Sequence, residues 1–482
     1  MRLSTAPDRD EGRAMAVLHA AFDAGVDLLD TADSYCWDDG EIGHNERLIA
    51  AALGAWNGDR SRIRIATKGG ITRPEGRWEP DGRAKYLTAA CERSCRALGV
   101  AAIDLYQLHA PDPRTPFATS VRALAALHRN GLIKSIGLSN VTVGQIEEAR
   151  RIAPIDAVQV ELSVWYDGGI LSGVVDYCIR NGIRVLAYRP LGGRKAQSRT
   201  ATDSVLNTVA ARHGASPFEI ALAWLHDISP LVTPLPGVTR VENVASVARA
   251  RQVALTDHDR RDLPVALRAA APRSAPSRTA GEIVMVMGLP AAGKSTLAQS
   301  FVDNGFVRLN RDETGGSLRR LIDDLHVSLD AGHAGIVVDN TYVTRQSRAE
   351  VIRAAAEHGV PVRCVWLMTP LDEAQVNAVT RIFAKYGKLP DEGDLASWRK
   401  RDVNTFPPTV LFRYQRELEP PDESEGFAQI DRVTFQRRAP AGYVNRAAIA
   451  WIDDPAQLDA AAAAFTKHHD AGARLLVWSW QP

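Results

Sequence analysis

Cysteine is scarce. The 482 residues hold five, Cys36, Cys91, Cys95, Cys178 and Cys364, an odd number with no C-x-x-C pair. That usage excludes a disulfide framework, offers no zinc-ligand set and fits a reducing compartment. No stretch approaches 18 consecutive apolar residues, and the first eight residues carry no apolar signal-peptide core. A soluble, cytoplasmic protein that does not contact membranes is therefore expected. An excess of charge is missing too: 58 Lys+Arg against 57 Asp+Glu leaves +1. No chain-wide field draws in nucleic acid or an anionic surface, so any such binding must be local. Lysine is rare, nine against 49 Arg, so each Lys inside a motif is informative. What is present is ordinary globular material, 45% apolar and 24% charged, long enough for a barrel of about 250 residues and a second domain.

From about residue 26 short apolar strands alternate with amphipathic helices. The strands read 26–30, 63–68, 104–109, 133–138, 157–161, 184–188 and 231–235, and the helices include 11–24, 83–98, 116–129 and 172–181. Several helices are followed by a glycine, Gly25, Gly99, Gly131 or Gly182, which suits a left-handed helix C-cap. Alternation of this kind means a parallel sheet. Seven strands predict a (β/α)8 TIM-type barrel lacking its first strand. The competing open doubly wound sheet would need a G-x-G-x-x-G after a strand, and this half of the chain has none. Residues 269–280, with two Pro and small polar residues, read as a linker between a barrel at 1–268 and a second unit at 281–438. In that unit the strands 283–287, 307–310, 336–339 and 362–368 again alternate with helices, as an open parallel sheet. Residues 439–482 give a short α/β stub, a strand at 447–451, a helix at 455–469 and a strand at 474–480, too few elements for a core of their own.

Three successive barrel strands end in chemistry. Asp30 ends one, with Tyr35 five residues on in Asp30-Thr31-Ala32-Asp33-Ser34-Tyr35, Lys68 ends the next, and His109 ends the third in Asp104-Leu105-Tyr106-Gln107-Leu108-His109. The carboxyl ends of strands are the face on which barrel active sites are built, so these groups share one rim. With Ile136-Gly137-Leu138-Ser139-Asn140, Gln159 and Pro234-Leu235-Pro236-Gly237, the region from about 10 to 265 resembles the aldo-keto reductase family. The resemblance implies NADPH-dependent reduction of a small carbonyl compound. Tyr35 would donate the proton, with its pKa lowered by Lys68, Asp30 would hold Lys68 in an ion pair, and His109 would orient the carbonyl. It also implies that Ser139, Asn140 and Gln159 bond the nicotinamide amide, that Tyr188 stacks under the ring, and that Gly237, Thr239 and Arg240 grip the adenosine phosphate. In the family a hairpin and a first barrel strand precede the first helix. Here the helix begins almost at once, and Met1-Arg2-Leu3-Ser4 looks like the tail of that strand, so either the barrel is open by one strand or the true start lies upstream.

Gly288-Leu289-Pro290-Ala291-Ala292-Gly293-Lys294-Ser295-Thr296 is G-x-x-x-x-G-K-S after an apolar strand and at the start of a helix. Backbone N–H groups from Gly288 to Thr296 would cradle the phosphates of ATP, Lys294 would span the outer ones, and Ser295 would ligate Mg²⁺. A following strand leads into Asn310-Arg311-Asp312, a third ends in Val338-Asp339-Asn340-Thr341, and Arg345 and Arg348 come after. The region 281–438 thus resembles the kinase half of polynucleotide kinase/phosphatases. That resemblance implies Asp312 as the general base, Asp339 near the metal or acceptor, and Arg381 as a lid arginine, with Lys385 and Lys388 as weaker lid candidates. The acceptor would be a hydroxyl, on a nucleic acid 5′ end or on a small molecule. Residues 281–438 hold 20 Lys+Arg against 22 Asp+Glu, which speaks against a long polynucleotide. The last segment faintly resembles the opening of a haloacid-dehalogenase-type phosphatase. Trp451-Ile452-Asp453-Asp454 is not the D-x-D that such an enzyme needs, so a truncated or degenerate segment without phosphatase activity is expected. Two functional classes follow for the whole chain: a bifunctional reductase and kinase, or an NADPH-sensing binding module that regulates a P-loop nucleotide switch.

Overall fold

A computed structural model describes residues 3–5, 9–193, 196–263, 281–311, 318–387, 394, 397–398, 405–406, 409–435, 447–452 and 474–479. The chain divides into two compact units, Met1–Arg273 and Ser274–Pro482.

The first unit is a parallel barrel sheet of seven strands, β1 (Leu28–Asp30), β2 (Arg64–Gly69), β5 (Leu105–Leu108), β6 (Ile136–Ser139), β7 (Ala157–Glu161), β8 (Arg184–Tyr188) and β9 (Val232–Leu235), hydrogen-bonded in that order. A two-residue hairpin, β3 (Ile71–Thr72) and β4 (Glu79–Pro80), leaves the rim after β2. Among the described residues β1 and β9 each pair on one side only, so the sheet stops one strand short of closure. Leu3 and Ser4, expected as the tail of the missing strand, form a buried turn instead, and Ser4 Oγ accepts a hydrogen bond from Asn45 Nδ2 at 2.8 Å. The turn is held by side chains and not by a strand ladder.

Local chemistry fixes the helices around the sheet. Asp10 caps the helix Glu11–Asp23 by accepting from the Arg13 N–H, and Ser216 and Glu219 form a reciprocal capping box on Pro217–Ile228. Their apolar faces, with Leu18, Phe22, Leu87, Leu124 and Trp224 among the buried residues, pack on the outside of the strands. Side chains alternate across each strand, and the inward set forms layers. One layer is apolar: Ala66, Leu105, Ala157 and Leu186, with Leu28 and Leu235 against them. Two residues further along each strand come Lys68, Gln107, Gln159 and Asp30, so the same periodicity that makes the plug also builds a polar layer above it. Gly137 leaves room for this layer, because a Cβ there would lie 2.5 Å from Gln107 Cγ. At the opposite mouth is a cavity of about 480 Å³. Its rim carboxylates Asp104 and Asp156 accept from the Ile65 and Ile136 backbone N–H groups, so they terminate the sheet.

The second unit holds a five-stranded parallel sheet in the order β11 (Val307–Leu309), β12 (Gly335–Asp339), β10 (Glu282–Gly288), β13 (Val362–Met368), β14 (Gln429–Thr434). β10, first in sequence, lies in the middle, with every residue from Ile283 to Gly288 buried. β14 is an edge strand that alternation did not reveal, since Gln429-Ile430-Asp431-Arg432-Val433-Thr434 is mostly polar and exposed. β15 (Ala447–Ile452) and β16 (Arg474–Ser479) pair in parallel as a separate two-stranded sheet. The linker at 269–280 and the helix expected at 455–469 lie outside the described residues.

Candidate active site

The polar layer of the barrel ends at the rim expected for catalysis. Lys68 is fully buried and has three partners: its Nζ donates to Asp30 Oδ2 and the Thr31 carbonyl, both at 2.7 Å, and to Tyr35 Oη at 3.3 Å. The other carboxylate oxygen of Asp30 accepts from Gln159 Nε2 at 2.8 Å and Gln107 Nε2 at 3.3 Å. A buried ammonium is stable only with such compensation. Burial works against the charged form, yet the Asp30 carboxylate and Tyr35 raise the Lys68 pKa above its usual value, so it stays an ammonium.

Tyr35 differs from the sequence expectation. Burial pushes its pKa up and outweighs the downward pull of Lys68, which Asp30 also opposes, leaving the phenol above its usual value. The tyrosine therefore rests protonated, the form a proton donor must have. His109 packs edge-on to Tyr35 with ring centroids 5.7 Å apart, and its Nδ1 lies 3.3 Å from Ser34 Oγ. Burial, reinforced by the Lys68 charge, holds His109 well below the usual histidine range, so the ring is neutral.

The cofactor candidates stand on the same rim. Asn140, in the left-handed region at φ 57°, donates from Nδ2 to the His109 carbonyl at 3.2 Å and accepts from Tyr188 Oη at 2.9 Å. Ser139 is buried beside it, and the Asn140 N–H donates to the Gln159 carbonyl. Ser139, Asn140, Gln159 and Tyr188 thus converge at the ends of β6, β7 and β8, with the Gln159 side-chain amide turned to Asp30. Gly237, Thr239 and Arg240 follow β9, and Arg240 is the exposed residue that precedes the helix Val241–Ala250. Three residues of the pocket were not singled out from sequence. Gln107 could have been found, two residues before His109 on the same strand face. Trp78 and Arg73 could not, because only the β3–β4 hairpin brings Trp78 against Tyr35, with Arg73 on its ring.

In the second unit the loop after β10 forms a backbone cradle. Gly288 at φ 152° has no room for a side chain, since a Cβ would lie 2.9 Å from the Leu367 carbonyl oxygen. Ala291 (φ 60°) and Gly293 (φ 96°) also take left-handed backbone before the helix Lys294–Asp303. Such alternation turns successive N–H groups inward, as an anion needs. Lys294 Nζ donates to the Leu289 carbonyl at 2.8 Å and the Gly288 carbonyl at 3.2 Å. Ser295 and Thr296 lie exposed in the first helical turn. The loop is braced by Thr369 Oγ1 and Asn377 Nδ2, which donate to the Ala292 and Ala291 carbonyls, each at 2.9 Å. Asp339, at the end of β12, is buried with Oδ2 held by Arg308 at 2.5 Å and Asn310 at 3.1 Å. Arg381 is exposed on the helix Leu371–Tyr386, its guanidinium 5.5 Å from the Phe406 ring. Lys385 is on the same helix, and Asp312 and Lys388 lie outside the described residues. Among the described residues no three His, Cys, Asp or Glu could together hold a metal ion, and no helix is long and apolar enough to cross a membrane.

Comparison with known proteins agrees with this division. Residues 4–264 match the aldo/keto reductase family and residues 283–400 match an AAA domain. Similar solved structures include a thermostable aldo-keto reductase in complex with the inhibitor epalrestat, at 28% identity over 53% of this chain and 88% of that one, TM-score 0.46. The glycerol dehydrogenase of Gluconobacter oxydans matches at 27% identity over 57% and 90%, TM-score 0.47. An aldo-keto reductase of Klebsiella pneumoniae in complex with NADPH matches at 24% over 52% and 84%, TM-score 0.45. Since the first match takes in more than half of the 482 residues, the chain belongs to the aldo/keto reductase family, with a P-loop domain joined to it in the same polypeptide.

Proposed function

We propose that the chain is a two-headed enzyme whose barrel reduces an aldehyde or ketone with NADPH and whose P-loop unit passes a phosphoryl group from ATP to a hydroxyl. The observation that carries the first activity is the buried Lys68 ammonium, 2.7 Å from Asp30 and 3.3 Å from a protonated Tyr35, beside a neutral His109. Ser139, Asn140, Gln159 and Tyr188 would hold the nicotinamide, and Gly237, Thr239 and Arg240 the adenosine phosphate. A nicotinamide held there would supply the hydride for the carbonyl carbon. The chain's own groups handle the rest: His109 donates a hydrogen bond that orients the carbonyl, and Tyr35 gives its proton to the oxygen. Lys68 then stabilises the phenolate, and Asp30 keeps Lys68 charged. Tyr35→Phe removes only the donor. It should lower turnover by about 10²- to 10⁴-fold while NADPH still binds. Aldehyde reduction by this variant at the parent rate would overturn the assignment.

The phosphate cradle carries the second activity. Backbone N–H groups from Gly288 to Thr296 would bind ATP phosphates, Lys294 would turn to the outer ones, and Ser295 would take Mg²⁺ with Asp339 nearby. Asp312 would accept the proton of the attacking hydroxyl, and Arg381 would close over the transferred group. Asp312→Asn keeps size and polarity, so ATP affinity should stay within a few-fold while transfer is lost. Labelled ATP incubated with nucleosides and short oligonucleotides measures it. Transfer that survives the substitution sinks the kinase reading.

A further inference from the structure

Arg73 has an unusual environment. Its side chain is 5% exposed, and neither Nε nor Nη1 has a hydrogen-bond partner. Nη2 donates to the Trp37 carbonyl at 2.9 Å, and the guanidinium lies 3.9 Å from the centroid of the Trp78 ring. Among the described residues no carboxylate pairs with it. Buried charges are normally paired, and buried donors are normally bonded, so a guanidinium with no carboxylate and with Nε and Nη1 unbonded needs a reason. A ring face offers attraction to the cation but does not satisfy in-plane N–H groups.

The position supplies the reason. Trp78, which carries Arg73 on its ring, also meets the reacting groups, edge-on to both, with its ring centroid 6.2 Å from Tyr35 and 6.1 Å from His109. It is 48% exposed and sits on the β3–β4 hairpin, whose ladder is two residues long and whose turn holds Glu75 and Gly76 at φ 51° and 78°. So short a ladder tethers the ring weakly. The two orphan donors thus belong to a guanidinium that shares the Trp78 ring with Tyr35 and His109.

We infer that Arg73 is an anion receptor of the reductase pocket, and that the substrate is an aldehyde or ketone that also carries an anionic oxygen group. This rests on the barrel being a reductase. An anionic oxygen reaching past Trp78 gives Nε and Nη1 the charge-assisted bonds they lack, and holds the carbonyl against Tyr35 and His109. The ring of Trp78 shields that pair from water.

The test uses the full-length protein and matched probes: benzaldehyde against 4-carboxybenzaldehyde, and glyceraldehyde against glyceraldehyde 3-phosphate. The readout is the ratio of kcat/KM within each pair. The parent should favour at least one anionic member by about tenfold or more, mainly through KM, as expected for a charge-assisted hydrogen bond. The pair that shows the ratio tells carboxylate from phosphate. Arg73→Met should bring the ratio close to one, and Arg73→Lys should keep part of it. A parent ratio near one in both pairs, or a ratio that Arg73→Met leaves intact, overturns the inference while the reductase reading stands. If neither member of any pair is reduced, the reductase reading fails, and thermal unfolding decides the receptor alone. Millimolar benzoate or inorganic phosphate should then raise the parent Tm and leave the Arg73→Met Tm unmoved. No rise in the parent, with a lower Tm in Arg73→Met, makes Arg73 a structural residue and overturns the inference.

Discussion

Asp33 shows how burial sets a charge state that neighbouring charges only modify. It is fully buried two residues before Tyr35; burial first, then the Glu46 charge, push its pKa up to about 8, against a weaker downward pull from Arg93. In the unfolded chain the same carboxyl titrates near 3.9. Between about pH 4 and pH 8 the folded state thus holds a proton that the unfolded state has lost. The sign follows from linkage: where the folded state binds more protons, stability falls as pH rises. The loss accrues through that window and levels off above about pH 8. Asp33→Asn keeps the shape and cannot ionise, so the difference in Tm between variant and parent should grow in the variant's favour from pH 5 to pH 8. A difference constant across this range would show that Asp33 ionises at an ordinary pKa. The same balance explains why Tyr35 could not be judged from its motif, where the Lys68 charge is legible and the desolvation is not.

At the scale of elements, much was legible because parallel strands buried on both faces are continuous apolar runs. β7 and β8 coincide with the expected 157–161 and 184–188, and β13 with 362–368. The four residues expected at the reductase rim do meet, because each stands at or just after a strand end and strand ends share one side of the barrel. What escaped were elements without an apolar signature: the two-residue hairpin that carries Trp78, and the polar edge strand β14. Arg348 was legible only as the second of two arginines, with Arg345, after the third strand, and its role is set by burial. It is 0% exposed, forms a two-pronged pair with Glu425 at 2.7 Å on both prongs, and donates to the Tyr342 and Glu419 carbonyls at 3.0 and 2.9 Å. It therefore pins Tyr342, which sits at φ 44° just after β12. Arg348→Met would leave Glu425 buried without its partner and should destabilise the second unit by about 3–5 kcal/mol, seen as a lower denaturant midpoint. Adding Glu425→Leu should recover much of this loss, since an apolar pair of similar volume removes the stranded charge. No recovery in the double variant would mean that the backbone contacts of Arg348, and not its charge, hold the loop.

Across the whole molecule, both units place their candidate site residues in the same way, at the carboxyl ends of parallel strands, and neither proposed activity relies on a strong overall field. The chain carries +1, and residues 281–438 hold two more acidic than basic residues. The local exception is 381–401, with six Lys or Arg against three Asp or Glu. Each phosphate neutralised by a protein cation releases condensed counterions, so the slope of log affinity against log salt counts phosphate contacts, at about 0.7 per contact for a single strand. If the proposed ATP site draws on some of these six, few are left for an acceptor. The expected slope for acceptor binding is therefore shallow, equivalent to about three phosphate contacts or fewer. Titrating the Asp312→Asn variant with a labelled oligonucleotide, at salt concentrations from 50 to 300 mM, measures that slope without turnover. A steep dependence, equivalent to six or more contacts, would make a polynucleotide the acceptor despite the acidic balance. A flat one, with nucleosides competing as well as oligonucleotides, would place the acceptor among small hydroxyl compounds.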